Sequence, residues 1–302
     1  MLNIFLLIFG FILLIKGSDV FVDCAVLISK KLKIPSSIVG LTIVSMATSS
    51  PELSISITSS LAGMSDMSIA NVVGSNIFNL LIVIGICSVI SKLKINNYKN
   101  TIILLGTCVL MLLCILDGNL NLFDGCIFLL TFGYFIFDMI KNTKREEMIE
   151  EKTNKPLLLT IILGLLGLGA IIYGGNLVVN SASAIAMQLG MSENLVGLTI
   201  VALGGSLPEF VTSVIATKKG ELDMAVGNIL GSNIFNILLI LGCASVINPM
   251  IVSTVALMDV LFMVISVVLF VLVTYKNKTV SRKLGIPMVL TYVLYIIITI
   301  IR

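Results

Sequence analysis

Two Pro-Glu pairs, Pro51-Glu52 and Pro208-Glu209, lie among residues that are otherwise aliphatic, small or hydroxyl-bearing. Proline has no N–H, and its ring clashes with the carbonyl four residues back. Each pair therefore frees backbone oxygens, near Ala47 and Thr48 in the first and near Gly204 and Gly205 in the second. The glutamate follows in the first turn of the restarted helix, where the macrodipole favours an ionised carboxylate. Holding such a charge away from water costs several kcal/mol even after relaxation, and no basic residue lies near in sequence. The expected counter-charge is a cation.

Each pair is followed by a second source of oxygen. Asn71, Ser75 and Asn79 step by four, as do Asn228, Ser232 and Asn236, so each trio shares one helix face. Gly74 and Gly231 allow close approach there. Carboxylate, amide, hydroxyl and backbone oxygens form a hard-cation set that suits Ca²⁺ or Na⁺ rather than zinc or copper. The chain has no histidine, and its six cysteines fall mostly in apolar stretches without a CxxC, so they read as small packing residues. Asp19 and Asp23, near the end of a long first helix, read as solvated or paired with Lys16.

The elements that must position these groups are membrane helices. The 302 residues are 58% hydrophobic and 12% charged, with a mean hydropathy of +1.14, which makes lipid the solvent. The N-terminal apolar stretch lacks the basic leading segment and cleavage site of a signal peptide and reads as the first helix. Hydropathy predicts spans at 2–29, 35–61, 67–91, 100–117 and 121–140, then at 156–188, 194–217, 222–247, 250–274 and 284–301. Five spans match five at a constant offset of 157: Val39 to Glu52 resembles Val196 to Glu209, and Gly74-Ser-Asn-Ile-Phe-Asn79 recurs unchanged as Gly231 to Asn236.

Every Lys and Arg except Lys16 and Arg302 falls in alternate connections, which the positive-inside rule places in the cytoplasm with both termini outside. Because five is odd, the second copy enters from the opposite face. The expected fold is an all-α membrane protein of ten transmembrane helices in two inverted five-helix repeats, 1–140 and 156–302, joined by a solvated cytoplasmic linker over 141–155.

At Ala-Thr-Ser-Ser-Pro-Glu52, Gly-Gly-Ser-Leu-Pro-Glu209 and the two Gly-Ser-Asn-Ile-Phe-Asn stretches, the sequence resembles the Na⁺/Ca²⁺ exchangers of the cation/Ca²⁺ exchanger superfamily. The resemblance covers both halves. It implies four clustered ion sites, with Ca²⁺ held by Glu52, Glu209 and the backbone oxygens of Thr48 and Gly205, and Na⁺ in overlapping positions. The further ligands it implies are Ser49, Ser206, Ser75, Ser232 and the backbone at Ser45 and Ala202, with Asn79 and Asn236 at the remaining central positions. It also implies that the long first and sixth helices slide across the rest. Gly205 departs from the threonine common in the family, removing a hydroxyl. Asn236 stands where K⁺-dependent members carry aspartate, which argues against K⁺ co-transport. The motifs do not match the Gly-Asn-Ala-(any)-Glu pattern of the H⁺/Ca²⁺ branch.

The function expected is antiport of Ca²⁺ against Na⁺ by alternating access, without enzymatic activity, cofactor or nucleic-acid partner, by a monomer in the cell membrane. Competing readings are a proton-coupled Ca²⁺ antiporter, a passive cation channel and an intramembrane two-carboxylate enzyme.

Overall fold

The computed structural model describes residues 2–96, 98–142, 156–191, 196, 200 and 202–301. The expected linker therefore lies almost wholly outside the described residues. The helices are α1 (Leu2–Leu32), α2 (Ser36–Thr48), α3 (Ser50–Leu61), α4 (Ser65–Ile90), α5 (Tyr98–Cys114), α6 (Leu122–Asn142), α7 (Leu157–Gln188), α8 (Ala202–Gly204), α9 (Leu207–Lys218), α10 (Leu222–Ile247), α11 (Thr254–Asn277) and α12 (Arg282–Ile301). Strand pairing among the described residues is confined to two antiparallel two-residue pairs: β1 (Leu93–Lys94) with β4 (Thr279–Val280), and β2 (Asn119–Leu120) with β3 (Met250–Ile251).

Seven of these helices are long and apolar enough to cross a bilayer alone, and α2 with α3 makes an eighth as one bent span. The protein is thus an all-α membrane protein. α5, at 17 residues, is shorter than the span expected over 100–117, and much of 194–201 lies outside the described residues. In lipid a backbone must satisfy its own polar groups, which helices do within one segment. The outward faces of α1, α6, α7, α11 and α12 carry large exposed apolar side chains, among them Phe5, Leu130, Leu166, Leu269 and Ile298, as a lipid-facing surface requires. α4 and α10 are the most buried spans and α12 the least, so the motif-bearing helices form the centre.

Two long outer helices, α1 and α7, cross on glycine. A Cβ at Gly10 would meet the Gly174 carbonyl at 2.9 Å, and one at Gly17 the Gly167 carbonyl at 2.8 Å. Gly10 matches Gly167, and Gly17 matches Gly174, at the offset of 157. Only glycine lets the two backbones approach this closely, the same principle that joins small-residue faces in membranes.

Two expectations are corrected. Asp19 and Asp23 are solvated as expected, but their ion-pair partner is Lys219, whose Nζ lies 2.7 Å and 2.6 Å from their Oδ1 atoms. Lys219 is the first residue beyond α9, so the loop after that helix is tied to the middle of α1, a contact across about 200 residues that local spacing does not reveal. Of the cysteines, Cys24, Cys87 and Cys108 are buried, whereas Cys126 is exposed on the apolar outer surface.

Candidate functional site

The Pro51 break falls at Ser49, whose φ of −81° and ψ of 9° leave the helical range, and the axes of α2 and α3 diverge by 47°. At Ser206, φ is −87° and ψ 6° before α9 restarts. Both prolines sit in the first turn of the new helix, where a missing N–H is harmless. The Ala47 carbonyl that Pro51 releases is taken by the Ser50 hydroxyl at 2.6 Å. Leu207 holds the matching position in the second copy and has no hydroxyl to do so.

These breaks deliver Glu52 and Glu209 to one place, both fully buried. The serine at each break crosses to the other copy's glutamate. Ser49 Oγ donates to Glu209 Oε1 at 2.7 Å, and Ser206 Oγ donates to Glu52 Oε1 at 3.1 Å. Ser75 Oγ also reaches Glu52 Oε1, at 3.5 Å. Gly205 packs on this carboxylate: a Cβ there would meet Glu52 Oε1 at 3.5 Å, ordinary contact. Thr48 is buried, its hydroxyl 3.1 Å from the Val44 carbonyl and 3.3 Å from Asn228 Oδ1.

The oxygen trios divide by role. Asn71 and Asn228 brace the half-helices, each donating to a serine, Ser56 or Ser213, at 2.9 Å. Asn71 also donates to the Glu52 carbonyl at 3.1 Å. Ser232 Oγ, Asn236 Oδ1 and both amide atoms of Asn79 are buried without a hydrogen-bond partner, as are Glu52 Oε2 and Glu209 Oε2. Buried polar atoms are nearly always satisfied, so these unpartnered oxygens on Glu52, Glu209, Ser232, Asn79 and Asn236 have capacity left for a ligand, and oxygen donors of this kind suit a hard cation. Among the described residues no three His, Cys, Asp or Glu side chains group as a metal centre, so two carboxylates depend on neutral oxygens to complete any shell. Ser45 Oγ donates back to its own helix, to the Leu41 carbonyl at 2.8 Å. Ala202 is the first residue of α8.

Both α4 and α10 widen into a π-helical turn that starts at the site asparagine, Asn79–Val83 and Asn236–Leu241, and a third such turn, Gly40–Val44, precedes Ser45. π-turns are rare and recur at functional sites. Gly231 lets α10 close on α2, since a Cβ there would lie 2.7 Å from Ser45 Oγ, whereas Gly74, expected to do the same in α4, has no neighbour within 4 Å of a Cβ. The sequence reading missed Asn76 and Asn233, which stand one residue off the step-of-four face. Each donates its Nδ2 to the other's backbone carbonyl at 3.2 Å and so ties α4 to α10.

The family of the sodium/calcium exchanger protein matches residues 2–141 and 159–301. The chain belongs to this family. CaxA of Alkalimonas amylolytica is 37% identical over 266 residues, covering 84% of this chain and 83% of that one. The sodium/calcium exchanger MaX1 of Methanosarcina acetivorans is 29% identical over 98% of both chains. Among solved structures, the sodium-calcium exchanger NCX_Mj soaked with zero Na⁺ and Ca²⁺ superposes with a TM-score of 0.89 at 29% identity, covering 100% of this chain and 99% of that one. The resemblance read from the Pro-Glu and Gly-Ser-Asn motifs is therefore a family membership, and the protein is a membrane antiporter of the sodium/calcium exchanger family.

Proposed function

We propose that the protein exchanges Ca²⁺ for Na⁺ by alternating access around Glu52 and Glu209, and that it catalyses no chemical reaction. One observation carries this reading: two fully buried carboxylates, each bound by the serine of the opposite half, each keep one oxygen without a protein partner. A pair of carboxylates sets a formal charge of −2, which one Ca²⁺ neutralises. Na⁺ ions competing for the same oxygens couple the two fluxes.

The ligands are the Glu52 and Glu209 carboxylates, the backbone at Thr48, Gly205, Ser45 and Ala202, and the side chains of Ser49, Ser206, Ser75, Ser232, Asn79 and Asn236. Ten spans form two inverted repeats, 1–140 and 156–302, joined through 141–155, with both termini outside the cell membrane. The 157-residue offset supports the repeat, as do the reciprocal contacts between matched residues and the pairing of β1 with β4 and β2 with β3. Glycine-lined α1 and α7 suit the sliding pair, and a monomer suffices because both glutamates come from one chain. The relative NCX_Mj, solved in soaks that vary Na⁺, Ca²⁺ and Sr²⁺, supports the ion classes.

The test is ⁴⁵Ca²⁺ uptake by proteoliposomes loaded with Na⁺, against vesicles loaded with choline and against an imposed pH gradient. Uptake that requires internal Na⁺ is expected. Uptake driven by the pH gradient and indifferent to Na⁺ replaces Na⁺ with H⁺ as the coupling ion.

A further inference from the structure

The Asn76–Asn233 pair fixes more than the distance between α4 and α10. A carbonyl can only accept, so the 3.2 Å contact with the Asn233 carbonyl sets which atom of the Asn76 amide is nitrogen. Asn76 Oδ1 then faces Asn236, which must donate its Nδ2, as it does at 3.0 Å. The remaining atom of Asn236, Oδ1, is thereby committed as a buried oxygen without a protein partner. Asn76 touches no proposed ion, yet it decides that Asn236 offers oxygen and not N–H to one.

The matching bond in the other half is open. At the 157-residue offset, Asn233 corresponds to Asn76 and Asn79 to Asn236. Asn233 is oriented by the same logic, through its Nδ2 to the Asn76 carbonyl at 3.2 Å. Its Oδ1 nevertheless lacks a partner, and so do both amide atoms of Asn79. Identical side chains in matched places are joined on one side and apart on the other. The serines are unequal as well: Ser75 reaches Glu52 at 3.5 Å, while Ser232 Oγ, its match, has no partner.

We infer that Asn76 and Asn233 are positioning residues forming an alternating amide clasp, with Asn76 aiming Asn236 in this conformation and Asn233 aiming Asn79 in the oppositely facing one. The inference rests on the inverted-repeat exchange reading given above. Exchanging the roles of the halves closes one clasp as the other opens, so each access state presents one firmly aimed amide oxygen.

The test measures Na⁺-dependent ⁴⁵Ca²⁺ exchange by the full chain in right-side-out and inside-out vesicles, varying Ca²⁺ on one face at a time. Asn76→Ala raises the apparent KM for Ca²⁺ about three- to tenfold on one face, the effect of one lost hydrogen bond, and Asn233→Ala does so on the opposite face. Asn76→Gln, which keeps both a donor for the Asn233 carbonyl and an acceptor for Asn236 Nδ2, restores most of the loss and serves if the alanine variant does not fold. Equal losses on both faces, losses on the same face, or a Gln variant as impaired as Ala contradict the clasp while leaving the exchange function standing. A parent that exchanges no Ca²⁺ for Na⁺ overturns the function itself.

Discussion

Ser49 donates to Glu209 across 2.7 Å, although the two are 160 residues apart, and this bond exists because Pro51 stops α2 at Ser49 and turns its hydroxyl toward the other half. Hydrogen bonds to a buried carboxylate are worth about 1.5–3 kcal/mol. Ser49→Ala and Ser206→Ala should each weaken apparent Ca²⁺ affinity about ten- to hundredfold, Ser49 more strongly because its bond is shorter, 2.7 Å against 3.1 Å. Titration of Ca²⁺ uptake in reconstituted vesicles checks this, and a loss below twofold for both variants counts against a role in the site.

Gly205 leaves the Glu52 carboxylate without the hydroxyl that Thr48 brings to the matching place. A Cβ fits there at 3.5 Å from Oε1, so Gly205→Thr should fold and add a ligand oxygen. The expected outcome is a gain in apparent Na⁺ affinity of about two- to tenfold, one added hydrogen-bond-sized interaction, read from the Na⁺ dependence of Ca²⁺ exchange. An unchanged Na⁺ dependence contradicts the asymmetry.

Gly17 and Gly174 let α1 and α7 pass in backbone contact. A Cβ on either meets a carbonyl at 2.8 Å, too close to accept without a shift. Gly174→Val should lower stability by about 1–3 kcal/mol and slow exchange more than it changes apparent Ca²⁺ affinity. Thermal unfolding in detergent and initial rates separate the two effects, and an unchanged maximal rate removes the sliding interface from the account.

Much of this was legible in the sequence. Glu52, Glu209 and the repeated Gly-Ser-Asn stretches stood out because an acid after proline in an apolar segment has few other uses, and an ungapped offset of 157 is not produced by chance. The π-turns were not legible, since Leu80 to Val83 and Ile237 to Leu241 are plain aliphatic runs that an α-helix accommodates equally well. Asn71 and Asn228, grouped by their step of four with the ligand positions, instead brace Ser56 and Ser213, because their side chains reach a neighbouring half-helix before they reach the site. Asn76 was hidden for the opposite reason: its partners, the Asn233 carbonyl and Asn236, come from the other half.

Lys219 pairs with Asp19 and Asp23 in the middle of α1. Burial pulls its pKa down, but the hydrogen bonds and charges of the two aspartates outweigh that and leave it above the ordinary lysine value. A raised lysine pKa stabilises the folded state below the unfolded pKa, and that contribution is lost as pH rises through the folded value. Because both aspartates are substantially exposed, the effect is at most about 1 kcal/mol. Lys219→Met should therefore leave the melting temperature nearly unchanged, and a large stability loss contradicts this.

The central claim is that Glu52 and Glu209 form one shared cation site, and ⁴⁵Ca²⁺ uptake into Na⁺-loaded proteoliposomes tests it most directly. Glu52→Gln and Glu209→Gln preserve shape but remove one of the two charges, so each should reduce uptake at least about a hundredfold, the loss expected when a buried charge goes unmatched. Uptake at the parent's rate in both variants contradicts the account.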